Sequence, residues 1–424
     1  MRFAKLWEKL LGVEQTVVDQ VVFDEEAGAV VASVRPRKGA TRRCGICGRR
    51  CPWEDRGEGR RRWRTLDLGC TPAYLEADAP RVRCSEHGIV VVNFPWARHR
   101  ARHTLMFEDQ VAWLAAHCSR SAVEQLMRVA WRTVGAIVTR VVADAHGRRD
   151  PLEGLRRIGI DEISYKKGHK YLVVVVDHDS ARLVWAAPGR DKKTLHKFFD
   201  ALGKSRSAML KEVSADGAEW IAAVVRSRCL NAKMNMDAFH TVQWATDALD
   251  EVRREVWNQA RREGGDQALA GQLKGCRYAL WKNPERLTGR QKSKLAWVAH
   301  TNDRLYRAYL MKEELRLAIR MKGEEGVALL AHWLAWAARC QVPAFVELGA
   351  KVRRHRTAIE ASLRSGTSNA LVESANTNIL VLTRVAFGFR SPQALIAMAM
   401  LAVGGACPDL PGRPTPIAFE LTAA

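Results

Sequence analysis

The chain has 424 residues, enough for two or three domains, and its 47% hydrophobic content allows a sizeable core. Lys and Arg outnumber Asp and Glu by 68 to 46, for a net charge of +22 and a pI near 9.9. That balance favours a polyanionic partner, although a ribosome or an anionic membrane surface would attract it equally. Arg2, Lys5, Glu8 and Lys9 break up the first residues, so no leader is legible there. The longest apolar run, Ala394 to Val403, is too short for the roughly 20 residues a bilayer span needs. The expectation is a cytoplasmic protein, associated with the nucleoid, that does not enter membranes.

Residues 1–104 read as strands around a metal knuckle. Cys44-Gly-Ile-Cys47 has knuckle spacing, and Cys84-Ser-Glu-His87 offers a second pair. Strand-like stretches, Arg62 to Leu68 and Ala73 to Arg83, lie between them, the layout of a zinc ribbon. Thiolates and imidazole suit tetrahedral Zn²⁺, and an Arg-rich segment with little core of its own gains most from a structural ion. Cys51 or Cys70 could replace a member of the second pair. Cys118, Cys229, Cys276, Cys340 and Cys407 stand alone in apolar patterns and read as core.

Residues 105–150 carry a helical apolar period. Val111, Leu114 and Ala115 mark one helix, and Ser121 is a plausible cap for a second through Val123, Leu126 and Met127. A third follows through Val134, Ile137, Val138 and Val141, with Arg132, Thr133 and Arg140 facing outward. Short helix, turn, then a helix presenting Arg and Thr is a helix-turn-helix layout, with those three residues as candidate DNA contacts.

From 151 to 240 the order is strand (Leu155 to Tyr165), strand (Tyr171 to Asp177), strand (Arg182 to Ala187), helix (Asp191 to Leu202), strand (Glu212 to Ala215), helix (Ala218 to Arg228) and strand (Ala232 to Asp237). This α/β order is that of an RNase H-like sheet, whose first and fourth strands are neighbours. It would bring Asp161 and Asp216 together. An aspartate inside an apolar strand is costly unless paired or metal-bound. Asp216 also stands where it could cap the helix that follows. Glu162 alternates to the opposite face. Asp237 and His240 end the last strand as secondary candidates near the site.

Residues 241–365 are helical, basic and rich in Trp (Trp244, Trp257, Trp281, Trp297, Trp333, Trp336), and read as an all-helical insertion. Exposed aromatics among cations can stack on unpaired bases, although most of these tryptophans read as core. Residues 366–424 would complete the catalytic core, with Glu373 on a helix that leans over the two aspartates. Carboxylates gathered in so basic a chain are a reason to expect divalent metal, two Mg²⁺ ions or Mn²⁺ in their place.

Read together, these motifs carry a resemblance along the whole chain. The CxxC knuckle, Gly159-Ile-Asp-Glu-Ile163, Asp237-Ala-Phe-His240, Leu280-Trp-Lys-Asn-Pro284, Ser368-Asn-Ala-Leu-Val-Glu373-Ser-Ala-Asn376 and Ala386-Phe-Gly-Phe-Arg-Ser391 are similar to those of DDE transposases of bacterial insertion sequences, in the group called "ISL-three". The resemblance implies an RNase H-like core interrupted by a helical insertion, with Asp161, Asp216 and Glu373 as its triad. It also implies binding to terminal inverted repeats, metal-dependent strand cleavage and transfer into target DNA, and assembly as a homodimer or larger synaptic complex. Ser374 and Leu380 depart from the Gly and Lys of many relatives, which puts terminal-phosphate contacts in doubt and leaves the carboxylates untouched. A structure-specific nuclease on the same fold, or a non-catalytic regulator, are the competing readings. All three acids argue against the regulator, and the N-terminal modules argue against a simple nuclease.

Overall fold

The computed structural model describes residues 3–262 and 266–413. The chain forms two units, residues 1–151 with 381–424, and residues 152–380.

The first unit begins with α1 (Phe3–Leu10), β1 (Thr16–Asp24) and β2 (Ala29–Pro36). They are followed by β3 (Trp53–Asp55), β4 (Arg60–Leu68), β5 (Thr71–Asp78), β6 (Arg81–Cys84) and β7 (Gly88–Val91). One sheet has the order β1-β2-β5-β4 and the other β3-β6-β7. Their shared core gathers Trp63, Phe94 and Trp96 with the buried thiols Cys44, Cys51 and Cys84. Three helices follow: α2 (Leu105–His117), α3 (Arg120–Met127) and α4 (Trp131–Arg148). Thr104 caps α2 by accepting from Phe107 N, and Ser119 caps α3 by accepting from Ala122 N. The cap therefore sits two residues before Ser121, because the helix starts at Arg120. Arg128 ends α3 in the left-handed conformation, φ 52°, which turns the chain sharply into α4.

The second unit is built on β8 (Arg157–Lys166), β9 (Lys170–Asp177), β10 (Arg182–Pro188), β11 (Glu212–Ala215) and β12 (Lys233–Met236). Their order is β10-β9-β8-β11-β12, so the first and fourth strands of the unit are neighbours, as the sequence order implies. β8, β9 and β10 pair antiparallel, while β11 runs parallel to both β8 and β12. The crossover helices α5 (Lys192–Leu202) and α7 (Glu219–Arg228), with the short α6 (Lys204–Ala208) between them, form the connections to β11 and β12. Ile158, Ile160, Val173 and Val175 form one core with Leu195, Phe198, Ile221 and Val224 of α5 and α7. Strand alternation puts Gly159 and Asp161 on the other face.

Helices α8 (Ala238–Arg261), α9 (Gln267–Lys274), α10 (Arg277–Trp281), α11 (Gly289–Thr301), α12 (Asp303–Met321), α13 (Gly323–Ala337), α14 (Pro343–Arg354) and α15 (Arg356–Ser365) follow β12. They share a core of their own. Trp333 is fully buried and donates Nε1–H to Met311 O at 2.8 Å. Trp244, Trp257, Trp281, Trp297 and Trp336 pack partly buried against that core. Trp333 is therefore core, as expected of most of them, while the other five keep part of their rings open to solvent. Lys351 lies 3.6 Å over Trp244 and Arg277 3.9 Å over Trp281, so cations cover rings that would otherwise face water.

α16 (Ala370–Val385) closes the second unit, and α17 (Pro392–Ala402) returns to the first, where it packs on α4 and α2. The sequence grouped residues 366–424 with the catalytic core. The apolar side chains of α17, among them Leu395 and Leu401, are buried, and the helix groups with the elements of the first unit.

Candidate functional site

One glycine, Gly159, sets the site's geometry. A Cβ on Gly159 would come 2.3 Å from Val372 Cγ2, 3.0 Å from His178 Nε2 and 3.1 Å from Ser214 Oγ. Only a bare backbone lets α16 bed so closely on β8. Ser214, paired with Gly159 across the sheet, donates to Asn369 Oδ1 at 2.9 Å and lies 2.8 Å from His178 Nε2. At Asn376, seven residues along the helix path from Asn369 and thus on the same side, the amide donates to Asp161 Oδ2 at 2.8 Å. These polar groups were not singled out from the sequence. The spacing of Asn369 and Asn376 around Glu373 was the signal that would have found them.

Asp161 Oδ1 accepts from Glu162 N at 2.7 Å. Burial pushes its carboxyl up to about 6; the Glu162 N–H opposes this, while the charges of Asp216 and Glu162 add to it. Asp216 follows β11, and its carboxylate accepts from Ala218 N at 3.0 Å; it does not cap α7, whose N-cap is Ala218 and carries no side-chain cap bond. Glu373 is exposed in the first turn of α16, one turn before Asn376. Glu162 pairs with Arg190 at 2.5 Å on the opposite strand face. Buried Asp237 accepts from or pairs with His240 Nδ1 at 2.9 Å. Asp237 first, then the charges of Asp216 and Asp161, raise the imidazole above its ordinary range against the effect of burial. Asp161, Asp216 and Asp237 thus share one electrostatic neighbourhood around His240. They are not drawn into a closed cage: among the described residues, the one group of three or more such ligand atoms within 4.8 Å of one another lies elsewhere.

That group is Cys44, Cys47, Cys84 and His87. Cys47 Sγ lies 3.8 Å from Cys84 Sγ, and His87 Nδ1 lies 3.6 Å from Cys84 Sγ and 3.9 Å from Cys44 Sγ. A tetrahedron with Zn–S near 2.3 Å has edges of about 3.8 Å, so the donors fit zinc. Cys51 instead donates to Arg49 O, and Cys70 is exposed and outside the group, which leaves the second pair as Cys84 and His87.

In the three-helix segment Arg132 is exposed and Thr133 half-buried at the start of α4. Arg140 differs from expectation. It turns inward and pairs with Glu108, a fully buried carboxylate on α2 that Arg98 also contacts at 3.3 Å. Arg98 further bridges Asp109 at 2.7 Å and Asp144 at 3.0 Å. Arg140 is thus part of the helix packing, because leaving Glu108 unpaired would be costly.

A family model described as "Transposase", of the ISL3 group, matches residues 158–399, more than half of the chain. The chain belongs to the ISL3 family of transposases. The helix-turn-helix domain of this transposase family matches residues 92–142, and the zinc finger of related transposases matches residues 40–87. The transposase is 57% identical over 436 residues to the "Transposase for insertion sequence element IS1557" of Mycobacterium tuberculosis, covering 97% of this chain and 98% of the relative. It is 24% identical over 392 residues to the "Transposase for insertion sequence element IS1001" of Bordetella parapertussis, covering 92% and 95%. No helix among the described residues of the transposase is long and apolar enough to cross a membrane.

Proposed function

We propose that this transposase binds the terminal inverted repeats of its own element and carries out strand cleavage and strand transfer at Asp161, Asp216 and Glu373. The observation that carries this reading is the bond from Asn376 to Asp161, because it ties the helix bearing Glu373 to the strand bearing Asp161. In this reading β8 to β12 and α16 are an RNase H-like core, and α8 to α15 are its helical insertion.

The donor set suits two Mg²⁺ ions or Mn²⁺: carboxylate oxygens, one of them half-buried beside like charge. Bound there, such ions supply Lewis acidity to an attacking water or 3′-hydroxyl and to the phosphodiester. The chain's own residues do the rest. Asn376 and the Glu162 N–H fix both oxygens of Asp161, leaving their remaining lone pairs for ligation. Asp237 lies 2.9 Å from His240 Nδ1 and favours the protonated imidazole beside the acids, where it can meet a phosphate oxygen. The zinc held by Cys44, Cys47, Cys84 and His87 is structural, and Arg132 and Thr133 meet the DNA from the start of α4. Joining two ends requires a dimer or larger synaptic complex.

The test is a labelled end duplex with Mg²⁺ and a target plasmid, scored for nicking and for joined product. Wild type gives both. Cutting without joining, with cognate ends supplied, would favour the nuclease reading.

A further inference from the structure

Beside the zinc knuckle the first unit encloses a cleft of about 280 Å³ that none of the site residues above accounts for. Its floor is the Trp63 and Phe94 core, and its rim carries Arg61, Arg81, Arg98, His99 and Arg100 against a single acid, Glu58. The arginines are not equivalent. Arg81 is held by Asp55, and Arg98 by Glu108, Asp109 and Asp144. Arg61 donates to Ala101 O at 2.8 Å and lies 5.3 Å over the Trp63 ring, and among the described residues no carboxylate pairs with it or with Arg100. Burial and the Arg102 charge hold the Arg61 guanidinium below its ordinary range, a setting that an incoming anion would relieve. Arg100 is exposed with φ 60°, a left-handed backbone that presents its side chain at the mouth of the cleft.

The opposite wall is apolar and open. Ile46 of the knuckle is 50% exposed and Ile89 of β7 is 47% exposed, although both line a concave surface. Gly45 sets this wall: a Cβ there would meet Val91 O at 2.5 Å and His99 Nδ1 at 2.8 Å. A cationic rim facing an apolar wall, in a space far too small for a duplex, is the chemistry of one nucleotide whose base has left the stack.

We infer that this cleft takes a single unpaired nucleotide of a DNA strand, its phosphate on Arg61 and Arg100 and its base against Ile46, Ile89 and the Arg61 plane. The inference rests on the reading of the chain as a transposase that engages DNA ends, and it adds to that reading a subsite for unpaired strand. Arg61 is already held by its bond to Ala101 O and its position over Trp63, so less side-chain freedom is lost on binding.

The experiment uses the full-length zinc-loaded protein in Mg²⁺-free buffer, so its outcome does not depend on the catalytic acids. Fluorescence anisotropy measures binding to a labelled single-stranded oligonucleotide and to the same sequence as duplex, across a salt series. Arg61→Gln combined with Arg100→Gln should weaken single-strand binding about tenfold. It should also reduce the salt slope by about 0.7, the value for the one phosphate the two arginines share, while duplex affinity changes less than about threefold. An unchanged single-strand affinity and slope would overturn the inference, as would equal losses for strand and duplex or a wild type that does not bind single strands. Zinc content and Tm are measured in parallel. Where the double variant loses either, Arg100→Gln alone decides, with single-strand binding weakened about threefold relative to duplex expected and no change overturning.

Discussion

Glu108 and Asp161 are both carboxylates that burial pushes above the usual range, and the molecule treats them in opposite ways. Glu108 receives Arg140 and Arg98, so its charge is answered inside the packing of α2 and α4. Asp161 receives an amide from Asn376 and a backbone N–H, and its nearest charged neighbours include two more acids, Asp216 and Glu162. In a chain with 68 Lys and Arg, none of them pairs with this half-buried acid among the described residues, and the positive charge that reaches it is that of His240. A structural carboxylate is paired by the fold, whereas a carboxylate kept for metal is oriented by neutral donors and left short of positive charge. The zinc knuckle is the third case, four donors already at tetrahedral separations.

That contrast can be broken experimentally, and zinc removal should have the largest effect. Structural zinc contributes about 10 kcal/mol or more to small ribbons, so chelation should unfold the N-terminal module while the second unit keeps its far-UV signal and melting transition. Elemental analysis should find about one zinc per chain, lost in Cys84→Ser. Retention of zinc by that variant would reassign the ligand to Cys51 or Cys70.

Next come the acids. Asp161→Asn, Asp216→Asn and Glu373→Gln should each lower nicking and joining by about a thousandfold or more, equivalent to about 4 kcal/mol in the barrier, with end binding intact. The same Asp161→Asn change should not lower Tm in the absence of Mg²⁺, since it removes a half-buried charge that Asp216 and Glu162 repel. Asp237→Asn should leave partial activity. Full strand transfer by Asp161→Asn would sink the triad.

Glu108 should behave in reverse. Arg140→Ala leaves that carboxylate short of a partner and should destabilise the helical module by about 3 kcal/mol, read by denaturant unfolding, without changing the catalytic step on bound DNA. Arg132→Ala with Thr133→Ala should leave stability alone and cost about 1–3 kcal/mol in discrimination between cognate ends and random duplex at fixed salt. An unchanged ratio would move recognition to the zinc ribbon.

The smallest effect concerns His103, whose imidazole burial, together with Arg140, Arg64 and Arg102, depresses to about 4 from the ordinary 6.5. The unfolded chain takes up this proton first, so the contribution to stability is present above pH 6.5 and is lost as pH falls toward 4. Glu108, raised in the folded state, works in the opposite sense. The comparison of His103→Phe with wild type isolates the histidine: the Tm difference between pH 7 and pH 5 should shrink in the variant, and an equal difference would exclude it.

Much of this was legible in the residues. The strand sequence of the second unit follows from runs such as Leu172 to Val176 and from their turns, and the adjacency of β8 and β11 follows from element order. The knuckle follows from cysteine spacing, and the family from motifs distributed along the chain. These are local or combinatorial properties: periodicity, cap chemistry and spacing are carried by neighbouring residues.

What tertiary structure alone decided is which side chains meet across long sequence separations. Nothing near Arg140 in sequence says that it faces Glu108 rather than DNA, and helical periodicity places it on a half-buried boundary where either is open. The tryptophans of residues 241–365 are polar enough at the indole edge to sit in either setting, and the core of α8 to α15 took them in. Gly159 gave no periodic signal, because the absence of a side chain matters only once Val372 is brought against it. α17 joined the first unit because its apolar face found α2 and α4 there. Burial free energy depends on the partner surface, and that surface is assembled only by the fold.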